Sequence, residues 1–133
     1  MGGTKQIEHS LMFGVPPSAL YNAFLDKGDM IKLTMSPAEV DPKVGGVYEL
    51  FGGSVRGEIK ELKKNEKIVM SWKFGDWKED STVTIDFEDC GDDITDVKVK
   101  HSGIPDDDNR CLDGWKEKLL GRIAKQWMFP LED

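Results

Sequence analysis

The sequence predicts an α+β domain: an antiparallel sheet of about six or seven strands, curved around one long C-terminal helix. Three observations predict it. Between residues 39 and 101 apolar residues recur with period two, and Gly-, Pro- or Asp-containing turns punctuate them roughly every ten residues. From Cys111 to Met128 the period changes. Leu112, Trp115, Leu119, Ile123 and Trp127 recur at steps of three and four, with Leu120 and Ala124 beside them, while Lys116, Glu117, Lys118, Arg122 and Lys125 fall on the other face. A short helical pair separates the first strand from the rest.

In chain order, Ile7, His9, Leu11 and Phe13 alternate with Gln6, Glu8 and Ser10 over residues 5–13, the pattern of a half-buried strand. Gly14-Val15-Pro16-Pro17 ends it. Ser18 opens a helix carrying Leu20, Tyr21, Phe24 and Leu25, Asp26 to Asp29 reads as a break, and Met30 to Thr34 as a further turn or two before Pro37. Glu39–Asp41 is a weak strand. Val47–Phe51 pairs with Ser54–Leu62 through a two-residue Gly52-Gly53 turn. Ile68, Met70, Trp72 and Phe74 share one face of Lys67–Phe74; Val83, Ile85 and Phe87 share one face of Ser81–Glu88. The last strand is Ile94–His101, and Asp107, Asp108 and Asn109 stand ready to cap the final helix, which ends before Pro130. This order is what a helix-grip fold requires. Residues 5–129 form one domain on this reading, with 1–4 and 130–133 as flexible termini.

Composition narrows the function classes. The chain has 133 residues, 25 acidic against 18 basic, for a net charge of −7. That sign, without a local Lys/Arg cluster, argues against nucleic acid as a partner. Cys90 and Cys111 are too few for a disulfide framework, and no apolar run reaches transmembrane length, so a cytoplasmic, monomeric protein without membrane insertion is expected.

No catalytic residue, metal site or cofactor motif is predicted. Ser54, Ser71, Ser81 and Cys111 lack a nucleophile elbow, and Gly52-Gly53 precedes no helix that would cradle a phosphate. His9 and His101, the two histidines, fall on apolar strand faces. They read either as a polar pair inside a ligand cavity or as buried imidazoles with satisfied nitrogens. Trp72, Trp115 and Trp127 suit a core. Trp77 lies in a polar loop, either as a partner-binding anchor or folded back over the sheet edge.

Successive antiparallel strands place alternate turns at the same end of a sheet. The Phe51–Ser54, Gly75–Asp80 and Gly103–Asp108 connections are therefore expected at one rim, apolar and acidic at once. The turns at Lys63–Glu66 and Asp89–Asp93 are expected at the other.

The run Gly45-Gly46-Val47-Tyr48-Glu49-Leu50-Phe51-Gly52-Gly53-Ser54-Val55-Arg56-Gly57-Glu58-Ile59 resembles a known family. So do Ile68 to Phe74 with Trp77 after it, Ser81 to Ile85, Ser102-Gly103-Ile104-Pro105 and the Gly114-Trp115 pair. Together they are similar to the C-terminal-type domain of the activator of heat shock protein 90 ATPase family, within the START-like, Bet v 1-like helix-grip superfamily. The resemblance implies a non-catalytic, stress-response co-chaperone whose partner is heat shock protein 90 and whose effect is to stimulate that partner's ATPase. Family members with an additional N-terminal docking domain differ from this sequence, which starts almost at its first strand. The expected partner-binding rim comprises Phe51, Gly52, Trp77, Asp80, Ile104, Pro105, Asp106 and Asp107. The alternative is a carrier of small apolar, lipid-like ligands. Its cavity between sheet and last helix would be lined by His9, Phe24, Met70, Trp72, Val99, His101, Trp115 and Leu119.

Overall fold

A computed structural model of the chain describes residues 3–109 together with Cys111 and Trp115. The strands are β1 (Thr4–Phe13), β2 (Glu39–Val40), β3 (Val47–Leu50), β4 (Val55–Lys63), β5 (Lys67–Phe74), β6 (Ser81–Gly91) and β7 (Ile94–Pro105). They form one antiparallel sheet in the order β1-β7-β6-β5-β4-β3-β2, so the first strand closes against the last. Two helices, α1 (Pro17–Phe24) and α2 (Lys27–Thr34), follow β1. The helix expected over Cys111–Met128 lies outside the described residues apart from Cys111 and Trp115, both buried.

Period-two patterning puts its apolar half inside. Ile68, Met70 and Trp72 of β5, Val83, Ile85 and Phe87 of β6, and Val97 and Val99 of β7 are all buried, together with Phe13 at the end of β1. Each large side chain so buried is worth about 1.5–3 kcal/mol over exposure. The helices close one end: α1 turns Leu20, Tyr21, Ala23 and Phe24 inward, and both Tyr21 and Phe24 meet Phe87 with ring centroids 5.9 Å apart.

Four local expectations are corrected. Pro17, not Ser18, begins α1, because its fixed φ suits a first helical position that needs no N–H donor. Asp26 to Asp29 is not a break: Asp26 caps α2 by accepting from Asp29 N at 3.0 Å. The β3–β4 connection is not a two-residue hairpin turn. Phe51, Gly52 and Gly53 all have positive φ (54°, 68° and 92°) and make a tight 3-10 turn anchored by Gly52 N donating to Pro37 O at 2.8 Å. Finally, β7 does not stop at His101. It runs on to Pro105 because the start of β1 pairs with it, Lys5 opposite Ile104 and Thr4 opposite Pro105.

Strand register decides which loops meet. Val55 lies opposite Phe74, Trp72 opposite Ser81 and Thr82 opposite Ser102. The Phe51–Ser54, Gly75–Asp80 and Gly103–Asp108 connections therefore lie at one end of the sheet, as strand alternation predicts. Lys63 opposite Lys67 and Gly91 opposite Ile94 mark the other.

Candidate functional site

At the first end, the β5–β6 loop and the segment after β7 enclose an open groove of about 750 Å³. Asp76 and Glu79 stand on one wall and Asp107 on the other, all exposed, with Trp77 and Pro105 between them and Gly3 and Thr4 at the margin. Asp106 N donates to Gly3 O at 3.1 Å, which ties the start of the chain to this end. Lys78 is the one cation among the described lining residues, so the walls carry a net negative charge.

Trp77 is turned inward and only 7% exposed. Its backbone N donates to Phe74 O at 3.0 Å, closing a turn, and its ring stands edge-on to Phe74 at 5.2 Å. The indole Nε1 donates to Asp108 Oδ2 at 2.7 Å, a charge-assisted bond joining the two loops. Of the residues expected at the rim, Trp77, Pro105 and Asp107 line the groove; Ile104 is fully buried beneath it. Phe51 and Gly52 sit at the same end of the sheet but on the β3–β4 turn, away from the groove, and Asp80 and Asp106 are exposed beside it without lining it. Glu79 and Asp108 complete the walls; strand alternation points to them as members of the same loops.

Behind the groove, His101 is fully buried on β7. It shares a face with His9, since Ile7 lies opposite His101 and His9 opposite Val99, and His9 is half-buried. Trp115 Nε1, which can only donate, reaches His101 Nδ1 at 3.2 Å. The proton of the neutral ring therefore sits on Nε2, which meets Ser81 Oγ at 2.6 Å, and Ser81 Oγ in turn donates to Trp72 O at 2.6 Å. Burial pushes the His101 pKa down to about 4. This is not a serine–histidine catalytic pair. A base must accept the serine proton, whereas here Nε2 gives one to Ser81, and the group on Nδ1 is an indole donor instead of an orienting carboxylate. The Ser81 partnership escapes a sequence reading because it comes from register, two strands brought side by side.

The other residues expected to line a cavity, Phe24, Met70, Trp72, Val99 and Trp115, are buried. Their rings touch one another: Trp72 lies 5.1 Å from Trp115 and 5.6 Å from His101 between centroids. Among the described residues, the buried Trp72 Nε1 has no acceptor. Leu119 lies outside the described residues. Among the described residues no group of three His, Cys, Asp or Glu side chains is placed to hold a metal ion, and no helix is long and apolar enough to cross a membrane.

This arrangement has close parallels among known proteins. A crystal structure of an HSP90 activator from Plasmodium falciparum superposes with a TM-score of 0.86 at 40% identity, over 90% of this chain and 94% of that one. The Dictyostelium discoideum activator of 90 kDa heat shock protein ATPase homolog is 32% identical over 95% of this chain and 34% of its own length. The Hsp90 co-chaperone AHA1 of Saccharomyces cerevisiae is 35% identical over 78% of this chain and 32% of its own. The chain thus spans about a third of the length of these curated relatives. The family model described as activator of Hsp90 ATPase homolog 1-like protein matches residues 14–126. With its seven-stranded antiparallel sheet, the chain belongs to the activator of Hsp90 ATPase homolog 1-like family.

Proposed function

We propose that this chain is a co-chaperone domain that binds heat shock protein 90 through the groove end of its sheet and stimulates the partner's ATPase. The observation that carries the reading is the groove itself: three exposed carboxylates, Asp76, Glu79 and Asp107, around Trp77 and Pro105 in a chain of this family. Relatives named as activators of the chaperone support the choice of partner. On this reading contact, not chemistry, is the domain's contribution: the Ser81–His101 contact is sealed and oriented against catalysis. Phe51, at the same end of the sheet, extends the proposed surface.

Titration of heat shock protein 90 with the chain, read by calorimetry and by ATP turnover, tests this. Saturable binding and faster turnover are expected. No binding and no stimulation even at large excess would overturn the proposal.

A further inference from the structure

Met35 carries a side chain that neither packing nor backbone geometry calls for. It is 75% exposed, whereas Met30 and Met70 are at 0% and Met12 is half-buried. It stands at the C-cap of α2 with φ 55° and ψ 35°, in the left-handed region where a Cβ is strained and glycine is favoured. Other groups hold the turn. The buried Thr34 Oγ1 donates to Met30 O at 2.8 Å and lies 3.3 Å from Ser36 O, and Gly52 N donates to Pro37 O at 2.8 Å just beyond. Met30 shows the contrast, its Sδ sealed in the core 3.3 Å from the Tyr48 hydroxyl. A strained backbone position that holds a soft thioether out in water suits a role for the thioether itself.

We propose that Met35 is a site of reversible oxidation on the folded protein, its thioether taken to the sulfoxide by a hydroperoxide and restored by a thiol-dependent methionine sulfoxide reductase. A lone pair of Sδ attacks the distal peroxide oxygen. The S–O bond forms as the O–O bond breaks, and the departing oxygen takes a proton and leaves as water or an alcohol. Sulfur loses two electrons and the peroxide gains them. In the return step two thiols of the reductase supply the electrons and become a disulfide, and the oxygen leaves as water. Access to the sulfur lone pair is what the first step needs, and exposure supplies it. A sulfoxide in the core would be a polar group without partners, but at Met35 the new oxygen meets water, so the fold survives. Ile31, one turn earlier on α2, is also exposed at 37%. Oxidation therefore turns a locally apolar helix end into a polar one, and reduction turns it back.

The test treats the folded chain with limiting hydrogen peroxide, quenches with catalase, and follows the gain of one oxygen at Met12, Met30, Met35 and Met70 by proteolysis and mass spectrometry. Met35 should oxidise about tenfold faster than Met30 and Met70, and ahead of Met12, and in urea the four rates should converge. Circular dichroism and the urea midpoint of chain oxidised at Met35 should match those of untreated chain. Methionine sulfoxide reductases for both sulfoxide epimers, with dithiothreitol, should return Met35 to the thioether. Met35→Leu should remove the fast phase and leave the slower ones. Oxidation of Met30 or Met70 as fast as Met35 in the folded chain, unfolding that accompanies oxidation of Met35, or a sulfoxide there that the reductases leave untouched would each overturn the proposal. No arm uses heat shock protein 90, so the result stands apart from that of the chaperone contact.

Discussion

Trp115 Nε1 donates to His101 Nδ1 at 3.2 Å, and this single bond fixes the direction of a buried chain of donors. It runs from the indole to the imidazole, from there to Ser81, and on to the Trp72 carbonyl. Protonating His101 would place a second N–H against that of Trp115. With burial holding the native pKa at about 4 against an ordinary 6.5, the unfolded chain takes up the proton first. Stability is therefore full above pH 6.5, falls progressively as pH drops from 6.5 to 4, and stays at the reduced level below that. The loss amounts to about 3 kcal/mol. Urea unfolding across this range should show wild-type stability falling toward that of His101→Gln; a constant gap between the two would contradict it.

Tyr48 on β3 bridges the sheet and the helical pair. Its hydroxyl, fully buried, donates to the Phe24 carbonyl at 3.0 Å, satisfying a carbonyl at the end of α1, and lies 3.3 Å from Met30 Sδ. Burial raises its pKa, so it remains a donor at any ordinary pH. Tyr48→Phe should cost about 1–2 kcal/mol in unfolding free energy, with the sheet unaltered by circular dichroism.

Gly57 is required by close approach. A Cβ there would overlap the Ser71 carbonyl on the adjacent strand β5, while the next residue, Glu58, donates its N–H to Ser71 Oγ at 2.9 Å. Gly57→Ala should destabilise by about 3 kcal/mol, read as a lower urea midpoint with unchanged slope. Gly75→Ala makes a control of the same chemistry, since nothing lies within 4 Å of a Cβ placed there.

If the groove meets the chaperone, its charges act mainly on encounter. Combining Asp76→Asn, Glu79→Gln and Asp107→Asn should slow association and flatten the decline of binding with salt, leaving dissociation less changed. Lys73→Ala, on β5 but outside the groove, should alter neither. Surface plasmon resonance at low and physiological salt measures both rates.

The sequence by itself determined the α+β class, the strands, and which turns share an end of the sheet. Those features depend on period-two alternation and on the reversal of direction at every hairpin, both local properties of the chain. It also located the acidic, aromatic loops, because consecutive hairpins leave them no other end to occupy. The exceptions had local causes that composition does not display: a proline at a first helical position, an aspartate that caps instead of breaking, and a run of positive φ at Phe51–Gly53. What only the tertiary structure decided is where single side chains turn. Trp77 faces inward onto an acceptor, Asp108, 31 residues further along the chain, and His101 is sealed against Ser81, 20 residues away on the neighbouring strand, two positions along from its register partner Val83. A hydrogen bond between two loops has no period and leaves no trace in either loop's own sequence. It exists only once the sheet has set the loops side by side.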